Sequence, residues 1–238
     1  YSVETYTLDN GLTIILNQDK TQTEIYGAVV TKAGGVNDPS DATGLAHYLE
    51  HVLFNGTNNV GTVNWEKESV HYEKVIALFE SLRETEEEEQ RNEIIKKINE
   101  ESIAQSEYFQ TKEFVLLLES VGASGINAGT SNDFTYYHST FPPTQARAWL
   151  EIYANEFTNP VFRNFQAELE TVYEEYNMYA EDPMSNFIST CTKNMWEGSP
   201  YEKEVIGYGE HLKNPSLKKL IEFYNTWYVP ENMALILV

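Results

Sequence analysis

The chain has 238 residues, of which 41% are hydrophobic and 22% charged, and its formal net charge at pH 7 is −21. That length suits one large domain or two small ones with a real apolar core, and the lack of any long apolar run excludes a membrane-spanning helix. The acidity argues against nucleic acid as a partner, because phosphate binding needs clustered Lys and Arg, and its plainest meaning is solubility.

Residues 3–8 and 12–16 read as strands joined by Asn10-Gly11, a strong hairpin signal. A third strand is predicted over residues 25–33, ended by Gly34-Gly35 and a turn through Asn37-Asp38-Pro39. A helix follows, with Thr43 as its expected N-cap and Gly56 as its expected close. It carries His47-Tyr48-Leu49-Glu50-His51. Positions i and i+4 share a helix face, so both imidazoles reach one metal ion, and Glu50 lies on the same side without being needed as a ligand. Leu45, Tyr48, Leu49 and Val52 take the other side. Two ligands and a free carboxylate are the minimum for activating a metal-bound water, and His-x-x-Glu-His is the inverted zinc motif. The bland alternative is an amphipathic helix whose solvated face carries two of the chain's five histidines. The motif therefore needs a third ligand elsewhere.

Residues 64–110 are rich in Glu and Lys, with apolar residues at helical spacing. Val75, Ile76, Phe79 and Leu82 define one helix; Ile94, Ile95, Ile98 and Ile103 define a second, with Thr85 and Glu88 as an expected capping box. This is a helical hairpin with an acidic outer face, and it is assigned no chemistry. Phe114, Leu117, Leu118 and Val121 form the next stripe, closed by Gly122. Residues 134–141 alternate as a strand, and Thr144 is the expected cap of a helix reaching Phe157. Further helices are predicted over residues 165–180, 186–197 and 217–228, with a final strand over 233–238. Strands, helices and a closing strand without βαβ repetition give an α+β fold with a mixed, largely antiparallel sheet.

The helix over residues 165–180 offers the missing ligand. Its apolar stripe is Phe165, Leu169, Val172, Tyr176 and Tyr179, and Glu168 and Glu175 project beside it, within about 20° of each other. Glu170, Glu174 and Glu181 point to the opposite side. A carboxylate beside a buried stripe is costly unless paired or bound to metal. One of the two then ligates zinc and the other orients a ligand. Cys191 rules out an internal disulfide and a Cys-rich zinc site, and is expected to be a buried structural thiol. His71, His138 and His211 are expected in surface or structural roles, and the sixteen Tyr in packing.

These segments together resemble the pitrilysin-type zinc peptidases, the inverzincins related to insulysin and mitochondrial processing peptidase. The likeness runs through Leu8-Asp9-Asn10-Gly11-Leu12, Gly34-Gly35-Val36-Asn37-Asp38-Pro39, Gly44-Leu45-Ala46 with the His motif, and Phe54-Asn55-Gly56-Thr57. It continues in Gly125-Ile126-Asn127-Ala128, in the segment from Glu168 to Glu175, and in Tyr224-Asn225-Thr226-Trp227-Tyr228-Val229-Pro230. The resemblance implies His47, His51 and Glu175 as ligands of one zinc, Glu50 as general base and Glu168 as a support that orients a ligand from behind. It also implies that Asn127 and Ala128 lie on the strand to which a peptide substrate adds its backbone.

The implied activity is zinc-dependent endopeptidase hydrolysis, with a zinc-bound water activated by Glu50. The acidic hairpin over residues 64–110 looks like an insertion, and residues 1–238 look like the N-terminal metallopeptidase domain of a longer protein, truncated at its C-terminal end. The chain begins at Tyr1 rather than Met, so processing or truncation is expected upstream. A homologous second half or partner chain is expected to complete the site, and without it the fragment is expected to be inactive or weakly active. The competing reading is a non-catalytic binding or scaffold subunit; a small-molecule lyase using the same motif fits less well. Similarly inserted homologues point to a bacterial periplasm or cell envelope.

Overall fold

The computed structural model describes residues 3–238. Strands β1 (Val3–Thr7), β2 (Thr13–Asn17), β3 (Ile25–Thr31), β4 (Ser124–Thr130), β5 (Thr135–Phe141) and β6 (Met233–Leu237) form one sheet in the order β1-β2-β6-β3-β5-β4. Only β2–β6 is parallel, whereas β1–β2, β3–β6, β3–β5 and β4–β5 are antiparallel. The expected α+β architecture with a mixed, largely antiparallel sheet is the observed one. The closing strand inserts between β2 and β3, so both ends of the chain share the sheet and β4 is left on an edge.

Gly11 turns the first hairpin with φ of 88°, and a Cβ there would come within 2.8 Å of the Glu231 side chain. Alternation along β5 sends Thr135, Tyr137, Ser139 and Phe141 inward. Trp149 then stacks on Phe141 and donates its indole N–H to Ser139 Oγ at 2.8 Å. Helices α1 (Leu45–Leu53), α4 (Glu113–Ser120), α5 (Ala146–Glu156), α6 (Phe165–Glu181) and α9 (Leu217–Trp227) add Leu49, Val52, Leu118, Trp149, Val172, Leu217 and Leu220 to the core. The predicted hairpin is α2 (Trp65–Glu84) and α3 (Glu88–Ser106), and α7 (Pro183–Met195) and α8 (Gly209–Leu212) complete the helices described.

Several local expectations fail for identifiable reasons. Thr85 and Glu88 form no capping box: Thr85 ends α2 and donates Oγ1 to the Ser81 carbonyl at 2.7 Å, and Glu87 takes the N-cap of α3. Ile95 and Ile103 are exposed, because α3 packs chiefly on α2 and that seam admits little more than Ile98 and part of Ile94. Thr144 lies in a 3₁₀ turn, Pro143–Gln145, and caps nothing. The helix expected over 186–197 begins instead at Pro183, because Asp182 accepts from Ser185 N at 2.7 Å and Pro suits a first helical position. Tyr179 is exposed, since the last turn of α6 runs past the core. Cys191 is only half buried on α7, a helix with no fully buried residue. Helix α1 stops at Leu53, before Gly56.

Candidate metal centre

Helix α1 is started by a residue other than the expected Thr43. Its N-cap is Gly44, at φ of 83°, where a Cβ would meet the Ile206 carbonyl at 2.7 Å. The free N–H groups of Gly44 and Ala46 are taken by Asp38, at 2.7 and 2.9 Å. Burial pushes the Asp38 carboxyl up to about 7, against those hydrogen bonds and the Lys203 charge. Thr43 is buried against the segment that follows residue 207, where it accepts from Tyr208 N at 2.9 Å and shares a 2.8 Å hydrogen bond with His211 Nδ1. His211 is thus structural, as expected. Leu45, Tyr48, Leu49 and Val52 are buried, which turns His47 and His51 toward Glu175 on α6 and leaves Glu50 against Thr130 on β4. The Tyr48 hydroxyl donates to the Phe165 carbonyl and ties the two helices together.

His47 and His51 stand one turn apart with their rings nearly perpendicular, at 82°, and their Nε2 atoms 3.3 Å apart. Glu175 Oε2 lies 3.6 Å from His47 Nε2 and 3.8 Å from His51 Nε2. The point in the plane of these three atoms that is equidistant from them is about 2.1 Å from each, inside the roughly 2.0–2.2 Å range of zinc to imidazole nitrogen and carboxylate oxygen. Among the described residues, these three form a His/Glu group able to hold a metal ion. Glu168, two turns before Glu175, brings Oε2 to 3.8 Å from His51 Nδ1. Glu170, Glu174 and Glu181 face solvent, as their helix face requires.

Burial, and next the charge of His51, pull His47 down to about 4, so its imidazole is neutral and free to ligate. Its Nδ1 is buried without a hydrogen-bond partner. For His51, burial pulls downward, but Glu168, Glu50 and Glu175 outweigh it and raise the pKa. Burial raises Glu50, opposed by Thr130, whose hydroxyl donates to Glu50 Oε2 at 2.8 Å. Beneath Glu50, Tyr137 and Tyr228 share a hydrogen bond of 3.0 Å.

Thr130 closes the edge strand β4, so Glu50 and the sheet edge are in direct contact. Asn127, exposed, and Ala128, half buried, lie on that strand opposite His138 and Tyr137. Asn127 follows a register shift that begins at Ser124. A cavity of about 680 Å³ opens beside His47 and is bounded by Thr130, Asn132, Tyr176, Lys193 and Lys203. His71 contacts Glu101 at 2.6 Å on the hairpin, and His138 packs against Tyr26 and Tyr136; neither joins the centre. Asp38 and Thr130 were not singled out by the sequence pattern. Both act through contacts set by the tertiary fold.

A family model described as Insulinase (Peptidase family M16) matches residues 13–71 and 102–209, leaving most of the hairpin unmatched. "Uncharacterized zinc protease YmxG" of Bacillus subtilis (strain 168) is 21% identical over 235 residues, covering 98% of this chain and 45% of its own length. "Probable zinc protease PqqL" of Escherichia coli (strain K12) is 24% identical over 245 residues, covering 97% of this chain and 20% of its own. A protease from Helicobacter pylori has the same fold, with a TM-score of 0.73 at 22% identity over 100% of this chain and 46% of that one. The chain thus spans less than half the length of these relatives.

Proposed function

The chain belongs to the insulinase family, peptidase family M16, and from that premise we propose that it is the metal-bearing part of a zinc-dependent endopeptidase. The observation that carries the reading is the triangle of His47 Nε2, His51 Nε2 and Glu175 Oε2, whose size suits one zinc ion, with Glu50 on the same helix face. His47, His51 and Glu175 hold the metal, and Glu168 orients His51 from behind. When bound, zinc supplies a Lewis acid that polarises the scissile carbonyl and acidifies a water. Glu50 takes the water's proton on a carboxylate oxygen and returns it to the departing amine. Thr130 holds the other oxygen and keeps the carboxylate aimed.

The peptide substrate adds its backbone to the open edge of β4 beside Asn127 and Ala128; the position of β4 at the end of the sheet supports this. A homologous second half or partner chain completes the enzyme, a reading supported by the relatives' greater length. The gap in the family match between residues 71 and 102 supports the hairpin as an insertion into this N-terminal metallopeptidase domain.

The test uses the full-length parent protein. Glu50→Gln should lower peptide cleavage by at least about 100-fold while zinc stays bound. Intact cleavage with zinc bound would remove Glu50 as the base. The alternative of a non-catalytic subunit predicts properly folded chain without stoichiometric zinc.

A further inference from the structure

Arg163 and Glu68 are both 0% exposed and face each other in the interior. The guanidinium donates from Nε to Glu68 Oε1 at 2.6 Å and from Nη2 to Glu68 Oε2 at 3.0 Å. It also donates to three carbonyls: Nη1 to Asn55 at 3.0 Å and Val60 at 3.3 Å, and Nη2 to Thr57 at 2.7 Å. Gln105 on α3 donates to Glu68 Oε1 at 3.1 Å, which brings both hairpin helices to the cluster.

The positions of these partners give the cluster its meaning. Asn55, Thr57 and Val60 belong to the segment that leaves α1 just after His51, and Arg163 stands two residues before α6, which carries Glu168 and Glu175. The two segments also meet directly, through Val161 N to the Gly56 carbonyl at 2.9 Å and Asn164 Nδ2 to Asn55 Oδ1 at 3.3 Å. We infer that Arg163 is a positioning residue for the metal centre: its planar fork fixes the exit of α1 against the entrance of α6, and Glu68 extends that constraint to the hairpin.

This rests on the zinc reading above. A metal site needs its donor atoms within about 0.2 Å of their ideal distances, so a small slip between α1 and α6 is felt at Glu175. Lysine lacks the fork and cannot bridge three carbonyls and a carboxylate at once. Stability alone does not account for the pair, since apolar residues often replace a buried ion pair without loss.

The test measures zinc affinity by competition with a chromophoric chelator, alongside the urea unfolding midpoint. It compares the wild-type chain with Arg163→Lys, Glu68→Gln and Ile98→Ala, the last opening a hole in the same hairpin. Arg163→Lys and Glu68→Gln should lower zinc affinity roughly ten- to a hundred-fold while folded. Ile98→Ala should lower the midpoint and leave affinity unchanged. The inference is overturned if both polar variants are folded and bind zinc as tightly as wild type, or if affinity in all three follows the midpoint. Should Arg163→Lys not fold, Glu68→Gln decides alone. Absence of zinc from the wild-type chain sinks the zinc reading and this inference together, whereas tight zinc in every variant sinks only the inference.

Discussion

The α1–α6 face and the α2–α3 hairpin are both crowded with carboxylates, yet only the first aims them at a common point. Glu50, Glu168 and Glu175 lie partly buried around two imidazoles. The hairpin acids Glu86, Glu87, Glu88, Glu89 and Glu93 face water. Density of charge therefore does not mark chemistry. Convergence under partial burial does, because only there does an unpaired carboxylate cost enough to need a partner. Glu68 is the exception that sharpens the contrast: it belongs to the hairpin but is fully buried and neutralised by Arg163.

The largest effect should come from that exception. Glu68→Ala leaves the Arg163 charge buried and unpaired, and should cost about 3–5 kcal/mol of stability by urea denaturation. Glu93→Ala on the exposed face of the same hairpin should stay within about 0.5 kcal/mol. Equal effects from the two would erase the distinction between the hairpin's buried and solvated acids.

A second buried acid extends the contrast, because it has no cation bonded to it. Burial pushes the Glu156 carboxyl from 4.5 to about 8, against the backbone N–H of Gly56 and the more distant Arg163 charge. Between those values the folded chain keeps a proton that the unfolded chain has released, so this group's contribution to stability declines as pH rises from 4.5 through 8. Glu156→Gln should flatten the stability profile across that window and make the variant the more stable protein at pH 8, on the order of 1–3 kcal/mol. Parallel profiles for wild type and variant would show that Glu156 is ionised or solvated after all.

The smallest effect separates the proposed base, Glu50, from its support. Thr130→Val removes the hydrogen bond that opposes the raising of Glu50 by burial. The Glu50 pKa should rise further, so the acid limb of the full-length enzyme's pH–rate profile should move to higher pH. An unmoved limb accompanied by a uniform drop in rate would give Thr130 another role.

How much of this was legible in the sequence depends on how local each cause is. The turn between β1 and β2, the alternation in β5 and the buried face of α1 follow from neighbours a few residues apart, and they appear as the pattern predicts. The placement of Glu168 and Glu175 beside the α6 stripe was legible for the same reason, since helix period alone sets their direction. Capping was less legible. Thr43 has the right chemistry for an N-cap, but Asp38 reaches back through a left-handed Gly44 and takes that place. Thr130 sits 80 positions from Glu50 and Arg163 sits 95 from Glu68, so no local pattern links either pair. Tyr179 fits the α6 stripe by period but lies beyond the end of the body it was expected to pack on.

The convergence of two imidazoles and one carboxylate is tested most directly by counting zinc. The chain is equilibrated with free zinc, dialysed, confirmed as folded by circular dichroism, and analysed for metal. Wild type and Glu50→Gln should each retain about one zinc per chain, and His51→Ala and Glu175→Ala should retain almost none. Folded wild type without stoichiometric zinc, or zinc that survives both ligand substitutions, would contradict the account.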